Sequence, residues 1–263
     1  MYLSELMKIS ILSLLFIIPF ISCINTTSKS AQNNYLKTEL ELETKEAAKF
    51  HTLIKGTGSP TIIFESGLGT PLNNWDIIQT QISEHYRTIS YDRKGIGQSP
   101  DPDNPRTIEN LVKDLELLIS QNKMDGPVVL VGHSLGGHIV RKYQQSFPSK
   151  VAGLFLIDPT NEYLYEEVFK QMNAAAADSM KTAWDNNFKK GSIGVYKEWK
   201  EAHGIDQIMR DYPLPTSIPI TILASFQESK FLTRRNSQLK DKLFSDWKKD
   251  KPNVTILLSL IHI

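Results

Sequence analysis

The chain has 263 residues, 40% hydrophobic and 22% charged, with 14 Gly, 13 Pro and one Cys. That length and apolar content suffice for a sizeable packed core and exclude a disordered or collagen-like chain. Lys and Arg number 30 against 29 Asp and Glu, a net charge of +1. No field for nucleic acid or another polyanion is advertised, and one Cys excludes an internal disulfide framework and a multi-Cys zinc site.

The first 22 residues differ from the rest. Ile9 to Ile21 is almost unbroken Ile, Leu and Phe, with Lys8 just before it. About a dozen apolar residues behind a basic one suit a secretory signal, whereas a spanning helix needs roughly 20. Phe20-Ile21-Ser22-Cys23 then places the sole Cys at the end of the run. The arrangement resembles a bacterial lipoprotein signal, with residues 1–22 as signal peptide and Cys23 as the point of lipid attachment. Phe20 stands where Leu is usual. The expectation is an exported, membrane-anchored lipoprotein; secretion after signal cleavage is the alternative. Residues 23–38, rich in Asn, Thr, Ser, Lys and Gln, read as a tether, and the folded domain is expected over 39–257.

Within that domain strand-like and helix-like patterns alternate. Thr61-Ile62-Ile63-Phe64-Glu65 is a short apolar run that ends in Ser66-Gly67-Leu68-Gly69, and Tyr86 to Tyr91 reads as the next strand. Apolar residues Ile108, Leu111, Val112, Leu115 and Leu118 then recur at offsets of three and four. This spacing predicts a helix over 107–121 with Thr107 capping its start. Val128 to Gly132 is continuously apolar, as a strand covered on both faces requires. Gly153 to Asp158 and Pro219 to Ala224 repeat the theme, and Asn253 to Leu257 is the last candidate. Leu239, Leu243, Phe244 and Trp247 make a helical stripe between those two. The alternation predicts an α/β fold, a mostly parallel sheet flanked by helices. The stretch between Asp158 and the Pro213–Pro219 region is far longer than one crossover needs. Helix-rich and aromatic, it is expected to form a helical cap over about 160–213, whose Tyr163, Tyr165, Phe169, Trp184 and Trp199 pack its own core or shape a substrate pocket.

Val131-Gly132-His133-Ser134-Leu135-Gly136 carries G-x-S-x-G between a predicted strand and a predicted helix. A Ser on so sharp a turn projects its hydroxyl past the sheet edge, and close backbone approach requires Gly two residues to either side. The helix that starts near Leu135 presents unpaired N–H groups to developing negative charge.

With Gly-His-Ser-Leu-Gly-Gly at 132–137, the chain resembles the α/β-hydrolase family over about residues 45–257. Three landmarks follow the family's order. Glu65-Ser66-Gly67-Leu68-Gly69 with Trp75 resembles the oxyanion loop, with Ser66 where His is common. Tyr91 to Ser99 (Y-D-R-K-G-I-G-Q-S) is similar to the D-x-x-G-x-G-x-S turn, and Val151 to Pro159 resembles the strand after the nucleophile helix. The resemblance implies a serine hydrolase that cleaves a small acyl substrate, an ester or related compound, through an acyl-enzyme at Ser134. It also implies an oxyanion hole made by the backbone N–H groups of Leu68 and Leu135. An amidase or peptidase on the same fold and a non-catalytic binding module are the alternatives. No metal or other cofactor is expected.

Two acids compete to orient the base. Asp158 ends its strand with Pro159 behind it; Glu228 lies nine residues after Pro219, where other members of the family place the acid, but Ser225 replaces their Gly. Asp158 is the leading choice and Glu228 the alternative. The family places its base after the last strand, where only His262 stands, without the usual preceding Gly or a closing helix. Leu258-Ser259-Leu260-Ile261-His262-Ile263 is what CTG-TCT-CTT-ATA-CAC-ATC encodes, a transposon end used to tag sequencing libraries. Residues 258–263 are therefore expected to be a non-native tail. The family's base is then absent from the chain, with His262 as the alternative.

Overall fold

The computed structural model describes residues 50–124, 126–225 and 234–259. Seven strands form one sheet: β1 (Thr52–Lys55), β2 (Ile62–Glu65), β3 (Thr88–Tyr91), β4 (Val128–His133), β5 (Val151–Ile157), β6 (Ile220–Ser225) and β7 (Val254–Ser259). Their spatial order is β1-β3-β2-β4-β5-β6-β7. β1 runs antiparallel to β3, and every other pairing is parallel. The last strand runs two residues past the domain end expected at 257: Leu258 and Ser259 continue the ladder opposite Ala224 and Ser225. Ladder bonds come from backbone groups, so pairing propagates whatever the side chains.

Helices α1 (Asp76–Ile82), α2 (Ile108–Gln121), α3 (Leu135–Ser146), α4 (Leu164–Lys170), α5 (Ala174–Phe188), α6 (Ile193–Met209) and α7 (Arg234–Lys248) fill the connections. Thr107 caps α2 as its sequence predicts: its side chain accepts the Asn110 N–H at 3.4 Å. The period-two alternation of the strands divides the core. Ile63, Ile89, Leu130, Leu154, Leu156 and Ile222 face Leu115, Ile139, Tyr143 and Trp247 of the helices on one side. Ile62, Phe64, Val129, Val131, Phe155 and Ile157 face the other side, where Trp75 and Ile82 pack. With both faces covered, polar alternation disappears from the central strands.

The stretch after β5 is the expected cap, built of α4, α5 and α6. Trp184 sits edge-on to Tyr165, Phe169 and Trp199 at 5.7–5.8 Å between ring centroids, and Phe188 stacks on Trp199 at 4.5 Å. Four of the five aromatics singled out from sequence thus pack together inside the cap. The fifth, Tyr163, lies under the Arg210 guanidinium.

Candidate active site

Sheet topology fixes where chemistry can collect. The chain leaves β2 for β3 on one side, and the later strands build out on the other from β4. The reversal between β2 and β4 opens a crevice at their C-terminal ends. Register sharpens this: Glu65 pairs with Gly132, and His133 with Ile157. The segments leaving these strands, Ser66–Gly69, Ser134 and Asp158, therefore emerge side by side.

Ser134 has φ 49 and ψ −118 and is the residue from which α3 starts. A positive φ is costly for a side chain with a Cβ, and such strain persists only where the surroundings impose it. They do so here by close packing. A Cβ on Gly132 would lie 2.7 Å from the Gly136 carbonyl oxygen, and one on Gly136 would lie 2.8 Å from that of Ser66 and closer still to that of Glu65. A Cβ on Gly67 would lie 2.9 Å from His133 Nδ1 and 3.4 Å from Ser134 Cβ. The loop after β2 is thereby pressed against the turn. Leu135 is the first residue of α3, so its N–H has no intrahelical acceptor. The Leu68 N–H has no hydrogen-bond partner among the described residues. Trp75 Nε1–H donates to Ser66 Oγ at 2.8 Å and holds the start of the loop.

Asp158 also has a positive φ, 41. Its Oδ1 accepts the Ser225 N–H at 3.3 Å and pairs with Lys240 Nζ, a buried ammonium on α7 that also donates to Ser225 O at 2.9 Å. Sequence reading missed Lys240; its place beside Leu239 in the apolar stripe of α7 was the available signal. Thr160, two residues on, has its hydroxyl 3.4 Å from Ser134 Oγ, and its N–H donates to Ser134 O at 3.2 Å. The alternative acid Glu228, the base candidate His262 and the lipid-attachment candidate Cys23 lie outside the described residues.

The other histidines have their own settings. His51 Nδ1 bonds Asp92 Oδ2 at 2.7 Å, and His138 Nε2 bonds Asp206 at 3.0 Å. Asp92 takes further bonds from the Leu72 and Gln98 N–H groups, a turn-building role. His133 is edge-on to Trp75, and burial pulls its pKa down, so a neutral imidazole flanks Ser134. Among the described residues no group of three His, Cys, Asp or Glu is placed to hold a metal ion.

A strained serine turn after the fourth strand, a loop from the neighbouring strand beside it and a carboxylate after the next are the arrangement of a hydrolase of the alpha/beta fold. A sequence profile of that description, alpha/beta hydrolase fold, matches residues 60–207, more than half of the chain. The chain belongs to this family. It is 33% identical over 117 residues to the uncharacterized protein YqjL of Bacillus subtilis, covering 44% of this chain and 46% of that one. It is 27% identical over 196 residues to the mitochondrial palmitoyl-protein thioesterase ABHD10 of Homo sapiens, covering 71% and 63%. The matches thus span less than two thirds of either relative's length. Among solved structures, a marine microorganism esterase superposes with a TM-score of 0.56 at 18% identity over 81% of this chain and 91% of that one. Mouse alpha/beta hydrolase domain-containing protein 10 gives 0.56 at 18%, over 80% and 84%. Likeness at that identity is likeness of fold.

Proposed function

We propose that this protein is a serine hydrolase that cleaves an ester or related acyl bond through an acyl-enzyme at Ser134. The observation that carries the reading is the left-handed backbone at Ser134 between two glycines with no room for a Cβ, a strained strand-to-helix turn that exposes a hydroxyl. Ser134 Oγ attacks the carbonyl carbon, its proton passes to a base, and the carbonyl oxygen becomes an oxyanion. The Leu68 and Leu135 N–H groups receive that charge; one such donor is worth about 3–4 kcal/mol in the transition state. Collapse expels the alcohol or thiol with the proton from the base, and water then releases the acid by the same steps.

Asp158 is the favoured acid. It follows the strand next to the one that leads to Ser134, and both hydrogen bonds of its carboxylate among the described residues fall on Oδ1, which leaves Oδ2 for an imidazole N–H. The resemblance puts the base after the last strand; no described residue takes that role here, and His262, the alternative candidate, lies outside the described residues. Thioesters join esters as substrates to test because the human relative is a palmitoyl-protein thioesterase. Attachment to a membrane through lipidated Cys23 completes the reading; among the described residues no helix is long and apolar enough to cross a membrane.

The test is turnover of an ester, a thioester and an amide of one acyl chain by the full-length protein and by Ser134→Ala. Ester and thioester hydrolysis with an early burst of leaving group, lost in the variant, is expected. Amide turnover alone would move the reading to an amidase. Equal turnover by the variant would remove Ser134 as nucleophile.

A further inference from the structure

The loop beside Ser134 is held from the cap. Glu198 on α6 is wholly buried, and its Oε2 accepts the Gly69 N–H at 3.0 Å. The same carboxylate takes both Arg93 Nε at 2.6 Å and Arg93 Nη2 at 2.8 Å. Arg93, also buried, spends its remaining N–H groups on the loop: Nη1 donates to Ser66 O and Glu65 Oε1 at 2.6 Å, and Nη2 to Gly67 O at 2.7 Å. Tyr91 OH donates to the other oxygen of Glu65. The carbonyls before Leu68 and the amide after it are thus tied to one charged cluster, and among the described residues Glu198 is its only member from the cap. Packing closes the same seam: a Cβ on Gly69 would lie 2.9 Å from Val195 of α6, and one on Gly95 2.7 Å from Gly194.

We propose that Glu198 is a positioning residue: from the cap it sets the Leu68 N–H in place, so that the oxyanion hole is complete only while α6 is seated. The proposal rests on the reading of Ser134 and Leu68 given above. A buried carboxylate bonded to a guanidinium and a backbone amide makes the strong, charge-assisted class of hydrogen bond. Its place one residue from the oxyanion donor means that its loss acts on charge developed in the transition state, not on ground-state binding.

The experiment compares the full-length protein with Glu198→Gln on a p-nitrophenyl ester and its thionoester, whose C=S takes far less from hydrogen-bond donors. Gln keeps the shape and an acceptor for the Gly69 N–H but loses the charge that Arg93 grips. The proposal expects kcat on the ester to fall about 10- to 100-fold with KM nearly unchanged. The thionoester rate should change less than about twofold, so the oxygen-to-sulfur preference falls with kcat. An unchanged preference, whether both rates fall together or neither does, overturns the proposal and marks Glu198 as structural. Fluorophosphonate labelling of Ser134 in the unsubstituted protein is the control. No label removes the serine-hydrolase reading and this proposal together, whereas a label with an unchanged preference removes only this proposal. Should Glu198→Gln fail to fold, hydrogen exchange in the unsubstituted protein decides: Gly69 N–H opening together with α6 supports the tie, and fast exchange at Gly69 while α6 stays protected refutes it.

Discussion

Replacing Gly136 by Ala tests whether close packing, and not the G-x-S-x-G pattern as such, sets the geometry at Ser134. The added Cβ would sit 2.8 Å from Ser66 O, 2.9 Å from the Glu65 carbonyl carbon and closer still to its oxygen. The Glu65 carbonyl oxygen is the closest of these, so reaching ordinary contact requires the first turn of α3 and the loop to part by about 1 Å, an overpacking that costs about 1–3 kcal/mol. The loop cannot yield easily, because Arg93 holds the Ser66 and Gly67 carbonyls at 2.6 and 2.7 Å. The start of α3 must move, and it carries Ser134 and the Leu135 N–H. Displacements approaching 1 Å at a reacting group cost on the order of 10²-fold in rate. Thermal melting of the full-length variant should fall by roughly 2–12 °C, and kcat on a p-nitrophenyl ester by about 10²-fold with a smaller change in KM. Wild-type melting and wild-type kcat together would refute the packing argument.

The other glycine prediction has the opposite sign. Gly204, within α6, has nothing within 4 Å of where a Cβ would stand, so Gly204→Ala should raise stability by about 0.5–1 kcal/mol in urea unfolding; a loss would contradict it. Burial pushes the Asp206 carboxyl up to about 7 and the His138 imidazole down to about 3. Folded Asp206 therefore holds a proton that the unfolded chain has released, and its contribution, whole below pH about 4, is lost as pH rises through 7. Asp206→Asn should gain stability relative to the unsubstituted protein between pH 4 and 7 and keep a constant difference above 7; a pH-independent difference would contradict it. For the acid, Asp158→Asn should lower kcat by about 10²–10⁴-fold while Glu228→Gln leaves it within about twofold. The reverse outcome assigns the role to Glu228.

What the sequence revealed was local. Thr107 and the apolar spacing after it predicted α2, and the continuous apolar run of β4 predicted a strand buried on both faces. The glycines around Ser134 announced the turn because a tight backbone approach leaves a residue-level mark. Other features leave none. β1 went unread because it is four residues long at a sheet edge, with Ile54 and its neighbours at least partly exposed. Glu198 sits in a sequence that looks solvent-facing and Lys240 at the margin of an apolar stripe; both are buried because their partners arrive from far along the chain. Arg93 meets Glu198 across 105 positions and Asp158 meets Lys240 across 82. Arg93 itself read as part of a turn, and only the assembled cap reveals it as the post holding the loop. Long-range charge pairing has no periodicity, so even where a local pattern hints at burial, as at Lys240, none names the partner.

Mass spectrometry of the full-length protein after treatment with a fluorophosphonate decides whether Ser134 is the nucleophile of an acyl-transfer site, since the reagent bonds fastest to a hydroxyl activated by its surroundings. The expected result is one adduct, on the peptide containing Ser134, that forms in step with the loss of ester hydrolysis and is absent from Ser134→Ala. An adduct on another residue, or full hydrolysis by protein without label, would contradict it.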